Sequence, residues 1–388
     1  MKQILLILTT FLTLACNGQE TKQDKFVLTI SPIIDKSDKT NQKVIETLTE
    51  FLKTKNTSLT ENKFWVQTDF QKYIYPYLDI YNIENSKYGK DFYRPTLVDI
   101  ISTENPTQKI VKLAFIGHNK ETQENQLRSI YNIIANILKD KVLFSRYLDF
   151  STESWKTVNS GSLTYKISPN KTINEVEINE QQKDINKICN FFQCKPIAIT
   201  YYSCVNPKEL FEIKGFDYHP IMYADKTGGL ADYGNIIFSG NNSEIYTHEI
   251  VHIYTSNLFP KIDKFIDEGI ATFMAGSGKY NYEWHRNKLE KFLNENKDYD
   301  FATHTNAYER IYFENETSIP YITSALILER TLRIYGKEKL IELLKSENEL
   351  WTTLKTVGIT KENINTEIRK QIKLPLIARV SLGLQSQQ

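Results

Sequence analysis

Five residues, His248-Glu249-Ile250-Val251-His252, constrain this chain more than any others. His248 and His252 are four apart, so on a helix they share one face, one turn from each other. Both imidazoles can then reach a single ion. Glu249 points to the side of that pair, where it can face a water on the ion. A second acidic residue, Glu268, follows within Phe265-Ile266-Asp267-Glu268-Gly269-Ile270-Ala271. Two imidazoles and two carboxylates are what a catalytic zinc uses: three protein ligands, a fourth position open to water and a base beside it. Histidine is scarce, with six in 388 residues, so two at this spacing around a glutamate form a specific signal, although short motifs do recur by chance.

The surrounding residues predict a helix from about Ser243 to Leu258. Ser243 would be its N-cap and Pro260 its stop. Ile245, Ile250, Val251, Ile253 and Tyr254 would form its buried stripe. A longer HExxHxxGxxH motif is excluded, because Thr255 stands at its glycine position and Leu258 at its third histidine. From His252 to Glu268 is 268 − 252 = 16 positions. That leaves room for a helix end, a turn near Asn257–Pro260 and the start of a second helix.

His248-Glu249-x-x-His252 followed by Asp267-Glu268-Gly269-x-Ala271 resembles the gluzincin zinc metallopeptidases, and within them the M1-like group of the peptidase MA superfamily. The resemblance implies one Zn2+ per chain, held by His248, His252 and Glu268. It implies Glu249 as general base and then general acid, and a peptide or protein as substrate. Phe265 stands where many relatives carry Trp. The segment Tyr321-x-x-Ser324 leading to Tyr335-Gly336 also resembles a family segment, and implies that Tyr321 supports the oxyanion of the transition state. His285, His304, Tyr308 and Tyr312 are rivals for that role. Some gluzincins carry an Asp four residues after the glutamate ligand to orient a zinc-bound histidine. Here that position is Thr272, which leaves Asp267 or Asp263 for the task. Gly228 to Phe238 reads as a Gly-rich turn and a short strand, which the resemblance places at the cleft border, pairing with substrate backbone, and which is otherwise an ordinary sheet edge. The missing Asp at 272 keeps a second reading open: a catalytically weak or inactive zinc protein that binds peptides in the same cleft.

The amino-terminal residues read as an export signal. Lys2 precedes an apolar run from Ile4 to Leu14. The run is too short to span a bilayer, which takes ~20 apolar residues, and fits a signal peptide over residues 1–15. Leu12-Thr13-Leu14-Ala15-Cys16 resembles a bacterial lipobox, which implies lipidation of Cys16, a tether over 16–25 and a membrane anchor at the cell envelope. The mature chain would hold 388 − 15 = 373 residues, enough for two domains. Forty-eight basic residues face 47 acidic ones, with no long basic run, so nucleic acid is not expected as a partner. Of the later cysteines, Cys194 could pair with Cys204 or Cys189, or all three could remain thiols.

Periodicity predicts an α+β fold: a small N-terminal α+β domain over 26–158, then a thermolysin-like or M1-like domain over 160–388. The second would combine a mixed sheet, the HExxH helix and a mostly helical C-terminal part. Strands are expected near 26–32, 97–102, 109–117, 142–150, 155–158, 163–168 and 196–203. Helices are expected near 41–53, 127–138, 174–192 and 207–214, and through most of 261–357.

Overall fold

The computed structural model describes residues 26–139, 141–313 and 316–377. The expected signal peptide, Cys16 and the tether lie outside them. Helices and mixed sheets alternate, so the α+β expectation holds. No helix among the described residues is long and apolar enough to cross a membrane.

The first sheet is built from β1 (Thr29–Ile30), β2 (Tyr93–Ser102), β3 (Gln108–Asn119), β4 (Glu124–Ile137) and β5 (Val142–Arg146), in that spatial order. Helices α1 (Lys39–Thr54) and α2 (Gln67–Tyr73) cover it. The apolar stripe of α1, Val44, Leu48, Phe51 and Leu52, is buried, and Phe51 meets Trp65, Tyr77 and Phe144 with ring centroids 5.2–5.6 Å apart. Residues 127–138, expected as a helix, instead fall almost wholly in the interior strand β4. The isoleucines at 130, 133, 134 and 137 mimic helical spacing. In fact Tyr131, Ile133 and Ala135 alternate onto one fully buried face, and a strand covered on both sides loses its polar alternation. The strand expected over 142–150 stops at Arg146, and Tyr147–Ser151 forms the short helix α3.

The second sheet runs β10 (Gly229–Asp232), β11 (Ile236–Ser239), β8 (Ile199–Ser203), β7 (Leu163–Ile167) and β6 (Lys156–Ser160). Its three central strands are parallel and both outer pairs antiparallel. Between β8 and β10, helix α5 (Pro207–Lys214) leads into β9 (Phe216–Tyr218), which crosses over to pair with β4 of the first sheet. Alternation in the second sheet is used on both faces. Tyr202, Ile236 and Phe238 enter the core of the first sheet. Tyr201 and Ile237 enter the core of the helical part. The second sheet is therefore a middle layer.

On its far side lie α4 (Glu175–Phe192), α6 (Thr247–Leu258), α7 (Lys264–Ala275), α8 (Tyr282–Glu295), α9 (Ile319–Leu344), α10 (Leu350–Lys355) and α11 (Ile364–Ile372). Gly336 breaks α9 with φ 81°, which left-handed backbone favours in glycine. The HExxH helix begins at Thr247, with Tyr246 rather than Ser243 at its N-cap position. Side chains of α4 hold the preceding residues outside the helix. Glu177 accepts from Ser243 Oγ and from the Glu244 amide, and Gln181 accepts from the Tyr246 amide. With those donors taken, the first helical turn has nothing to gain by starting earlier.

Candidate metal centre and cleft

Helix α6 carries His248, Glu249 and His252, and α7 crosses beside it with Glu268 on its facing side. Glu268 Oε2 lies 3.2 Å from His248 Nε2 and 3.3 Å from His252 Nε2. Zinc bonds of about 2.0–2.1 Å in a tetrahedron place neighbouring ligand atoms about 3.3 Å apart. Both measured edges therefore match, and the donor set suits the ion. His248, Glu249 and His252 also offer ligand atoms within 4.8 Å of one another. Glu249 is set apart from the other three by its own partner: its Oε2 accepts from the Ala231 amide of edge strand β10 at 2.8 Å.

The outer contacts fix the rings. His248 Nδ1 lies 2.7 Å from the carbonyl of Gly276. Gly276 adopts φ 82° just past α7, and a Cβ there would sit 2.0 Å from the Tyr280 carbonyl. His252 Nδ1 lies 3.0 Å from Asp267 Oδ2. Asp267 is itself held by Thr255 Oγ1, which donates at 2.6 Å, and by Lys264 at 3.0 Å. Of the two acids left open by the sequence, Asp267 faces the histidine, and Asp263 caps α7 through the Phe265 amide. Asp267, one residue before Glu268, thus brings a carboxylate to within 3.0 Å of His252 Nδ1, although that nitrogen completes no hydrogen bond.

These charges shape the ionisation of the metal-free site. Burial works to lower the pKa of His252, but Asp267 and Glu268 outweigh it and raise it to about 10. Burial likewise opposes ionisation of Glu268, and the two imidazoles prevail, holding its carboxyl well below the ordinary range. Burial, then the charge of Glu268, keeps the Tyr321 phenol protonated far above its usual value.

Tyr321, at the start of α9, stacks over His248 with centroids 6.2 Å apart and planes 15° from parallel. It lines the cleft of about 920 Å³ that contains His248, Glu249, His252 and Glu268. Its rivals His285, His304, Tyr308 and Tyr312 are absent from that lining. His304 sits 3.4 Å from Glu309, and Tyr308 and Tyr312 are exposed. Buried His285 bonds Ser277 O and Thr317 Oγ1, each at 2.8 Å, and so braces the loop that presents Gly276 to His248. Sequence reasoning missed Tyr246, which also lines the cleft. Burial and Glu249 raise its phenol in the same way. Its position two residues before His248 was the available signal. Cys189, Cys194 and Cys204 are thiols.

No family model matches the chain, and no curated protein is similar to it. Among solved structures, the M1 zinc metallopeptidase from Deinococcus radiodurans is similar over 74% of this chain and 67% of that chain, at 12% identity and a TM-score of 0.28. A mutant of an M1 zinc metallopeptidase from the same organism, bound to a Tyr-Ser-Ala substrate, is similar over the same shares, again at 12% identity and a TM-score of 0.28. The likeness is slight, and the site's own geometry carries the functional reading.

Proposed function

We propose that the chain is a zinc metallopeptidase of gluzincin type, with His248, His252 and Glu268 as ligands. The observation that carries this reading is the placement of Glu268 Oε2 at 3.2 and 3.3 Å from the two Nε2 atoms. A zinc ion there would supply Lewis acidity and a water whose pKa is lowered towards ~7. Glu249, held by the Ala231 amide, faces the same space. It would take a proton from the attacking water and deliver it to the leaving amine. Tyr321 keeps its proton and would donate to the developing oxyanion. The Gly276 carbonyl would hold His248, and the Asp267 carboxylate beside Nδ1 would steer His252, with Nε2 of each towards the ion. Among the described residues no strand pairs with the outer side of β10, where Glu249 holds the Ala231 amide, and an extended peptide could lie along the rest of that side.

The test combines metal content with activity. The purified protein should carry about one zinc per chain, lost in His248→Ala. Glu249→Gln should keep the metal and lose peptide hydrolysis. Cleavage retained by Glu249→Gln would sink the assignment. A zinc-loaded wild type with saturable peptide binding and no turnover would favour the peptide-binding reading, which the sequence keeps open through Thr272. The contact of Asp267 with His252 weighs against that second reading.

The envelope location rests on Leu12–Cys16 and the apolar run before it. Lipidation at Cys16 would tether the catalytic body to a membrane while leaving it in water. Incorporation of labelled fatty acid, abolished in Cys16→Ser, would support this part of the proposal.

A further inference from the structure

One wall of the cleft comes from outside the helical part. Ile74 and Tyr75, at the C-terminal end of α2, line it together with Tyr233 beyond the end of β10. Ile74 has φ 63° and ψ −52°, and the Tyr75 amide donates back to the Tyr73 carbonyl at 2.6 Å. This is a γ-turn of the rare positive-φ hand. A β-branched residue at its centre is a genuine outlier. Such strain persists only where the surroundings over-determine it, and it clusters at functional sites.

Three further contacts hold the corner against β10. The Tyr75 and Tyr233 rings meet edge to face, with centroids 4.6 Å apart. Gly234, with φ 80°, lets the β10–β11 turn lie on the end of α2, where a Cβ would fall 2.2 Å from the Lys72 carbonyl. Behind them, Arg146 and Lys214 reach Asp232 at 2.8 and 3.2 Å, and Lys214 reaches Asp79 at 3.2 Å. The corner is thus fixed relative to the strand that holds Glu249. Yet Ile74 is 44% exposed and Tyr233 50%. A strained, rigidly mounted apolar surface is left open towards the cleft.

We propose that Ile74, Tyr75 and Tyr233 form a specificity subsite for a large apolar or aromatic side chain of an extended peptide lying along β10. The proposal rests on the peptidase reading and adds a substrate preference to it. The two tyrosine faces and the isoleucine offer apolar area and ring stacking. No charged side chain belongs to this trio.

The test uses quenched fluorescent peptides varied at one position at a time through Gly, Asp, Lys, Leu and Phe, with wild type, Tyr75→Ala and Ile74→Gly. Glycine at 74 deletes the side chain and also relieves the backbone, so lost selectivity there is not lost folding. Wild type should favour Phe or Leu over Gly and Asp at one position. Each variant should reduce that preference, as a ratio of kcat/KM values, by about tenfold. The same peptides are titrated by fluorescence anisotropy onto Glu249→Gln, with and without Tyr75→Ala. Selective weakening of Phe and Leu peptides supports the subsite whether or not the wild type cleaves them. Unchanged ratios in both cleavage and binding overturn it. Binding without wild-type cleavage would overturn the peptidase reading alone.

Discussion

Gly269, beside Glu268 on α7, lets α9 approach by the thickness of one absent methyl. A Cβ at this position would lie 2.0 Å from Ser324 Oγ, 2.5 Å from Ser324 Cβ and 3.0 Å from the Ser324 carbonyl carbon. No rotamer can relieve the last two contacts. In Gly269→Ala, α7 and α9 must therefore separate by about 1 Å to restore ordinary contact distances, and overpacking of this kind costs about 1–3 kcal/mol. Helix propensity returns at most about 1 kcal/mol, so the net loss should be about 1–2 kcal/mol. The activity should suffer more. Glu268 sits on α7 next to Gly269, and Tyr321 on α9 one turn before Ser324. A 1 Å displacement between catalytic groups can lower a rate about a hundredfold. Denaturant unfolding and peptide cleavage should be measured for Gly269→Ala, Ser324→Gly and the double variant. The double variant should recover stability relative to the sum of the singles, with a coupling above about 1 kcal/mol. Full stability and activity in Gly269→Ala, or strict additivity in the cycle, would refute the close-packing account.

Other outcomes follow from the same contacts. Asp267→Asn should weaken zinc affinity about 10–100-fold in chelator competition, and unchanged affinity would remove Asp267 from the role of orienting His252. Tyr321→Phe should lower kcat about a hundredfold with little change in KM or metal content; a KM effect alone would make Tyr321 a packing residue. Asp69 is buried, and burial raises its pKa from 3.8 to about 6. Because the folded pKa lies above the unfolded one, its protonated form favours folding. The contribution of Asp69 to stability should be greatest below about pH 4 and fall by up to about 3 kcal/mol as pH rises through about 6. Asp69→Asn should remove that slope from the denaturant midpoint, and parallel profiles for the two proteins would contradict the assignment.

What could be read from the sequence divides by the range of the interactions involved. The HExxH helix was legible because i, i+4 spacing is local geometry, and a ligand pair on one face needs no partner to be recognised. Glu268 was legible through its motif, and the 3.2 and 3.3 Å contacts confirm only that α7 brings it to the two imidazoles. The N-cap of α6 falls three residues after Ser243, because the competing acceptors Glu177 and Gln181 come from a helix more than sixty residues earlier. Strand β4 was misread for a related reason. A strand buried on both faces carries no alternation, and its isoleucines fell on helical spacing by coincidence. The crossover of β9 to β4 had no local signal at all.

The outer support of the site shows why a missing motif residue is weak evidence of a missing function. Thr272 removes a carboxylate from one place on α7, while Asp267 on the same helix meets His252 from another. The two positions, 267 and 272, are five apart, about one and a half turns, so each approaches the histidine face at a different height. What the chemistry requires is an acceptor at Nδ1, whichever residue delivers it. Asp267 places Oδ2 3.0 Å from Nδ1 without completing a hydrogen bond to it, and Thr255 and Lys264 hold its two oxygens in place. The same substitution of source for function applies to the cleft wall. Ile74 and Tyr75 come from the first sheet's covering helix rather than from the helical part. They are nevertheless registered to β10 through Gly234, Tyr233 and the Arg146–Asp232 pair. In the proposed subsite, residues before 158, which carry no catalytic motif, would in this way govern which peptides reach Glu249.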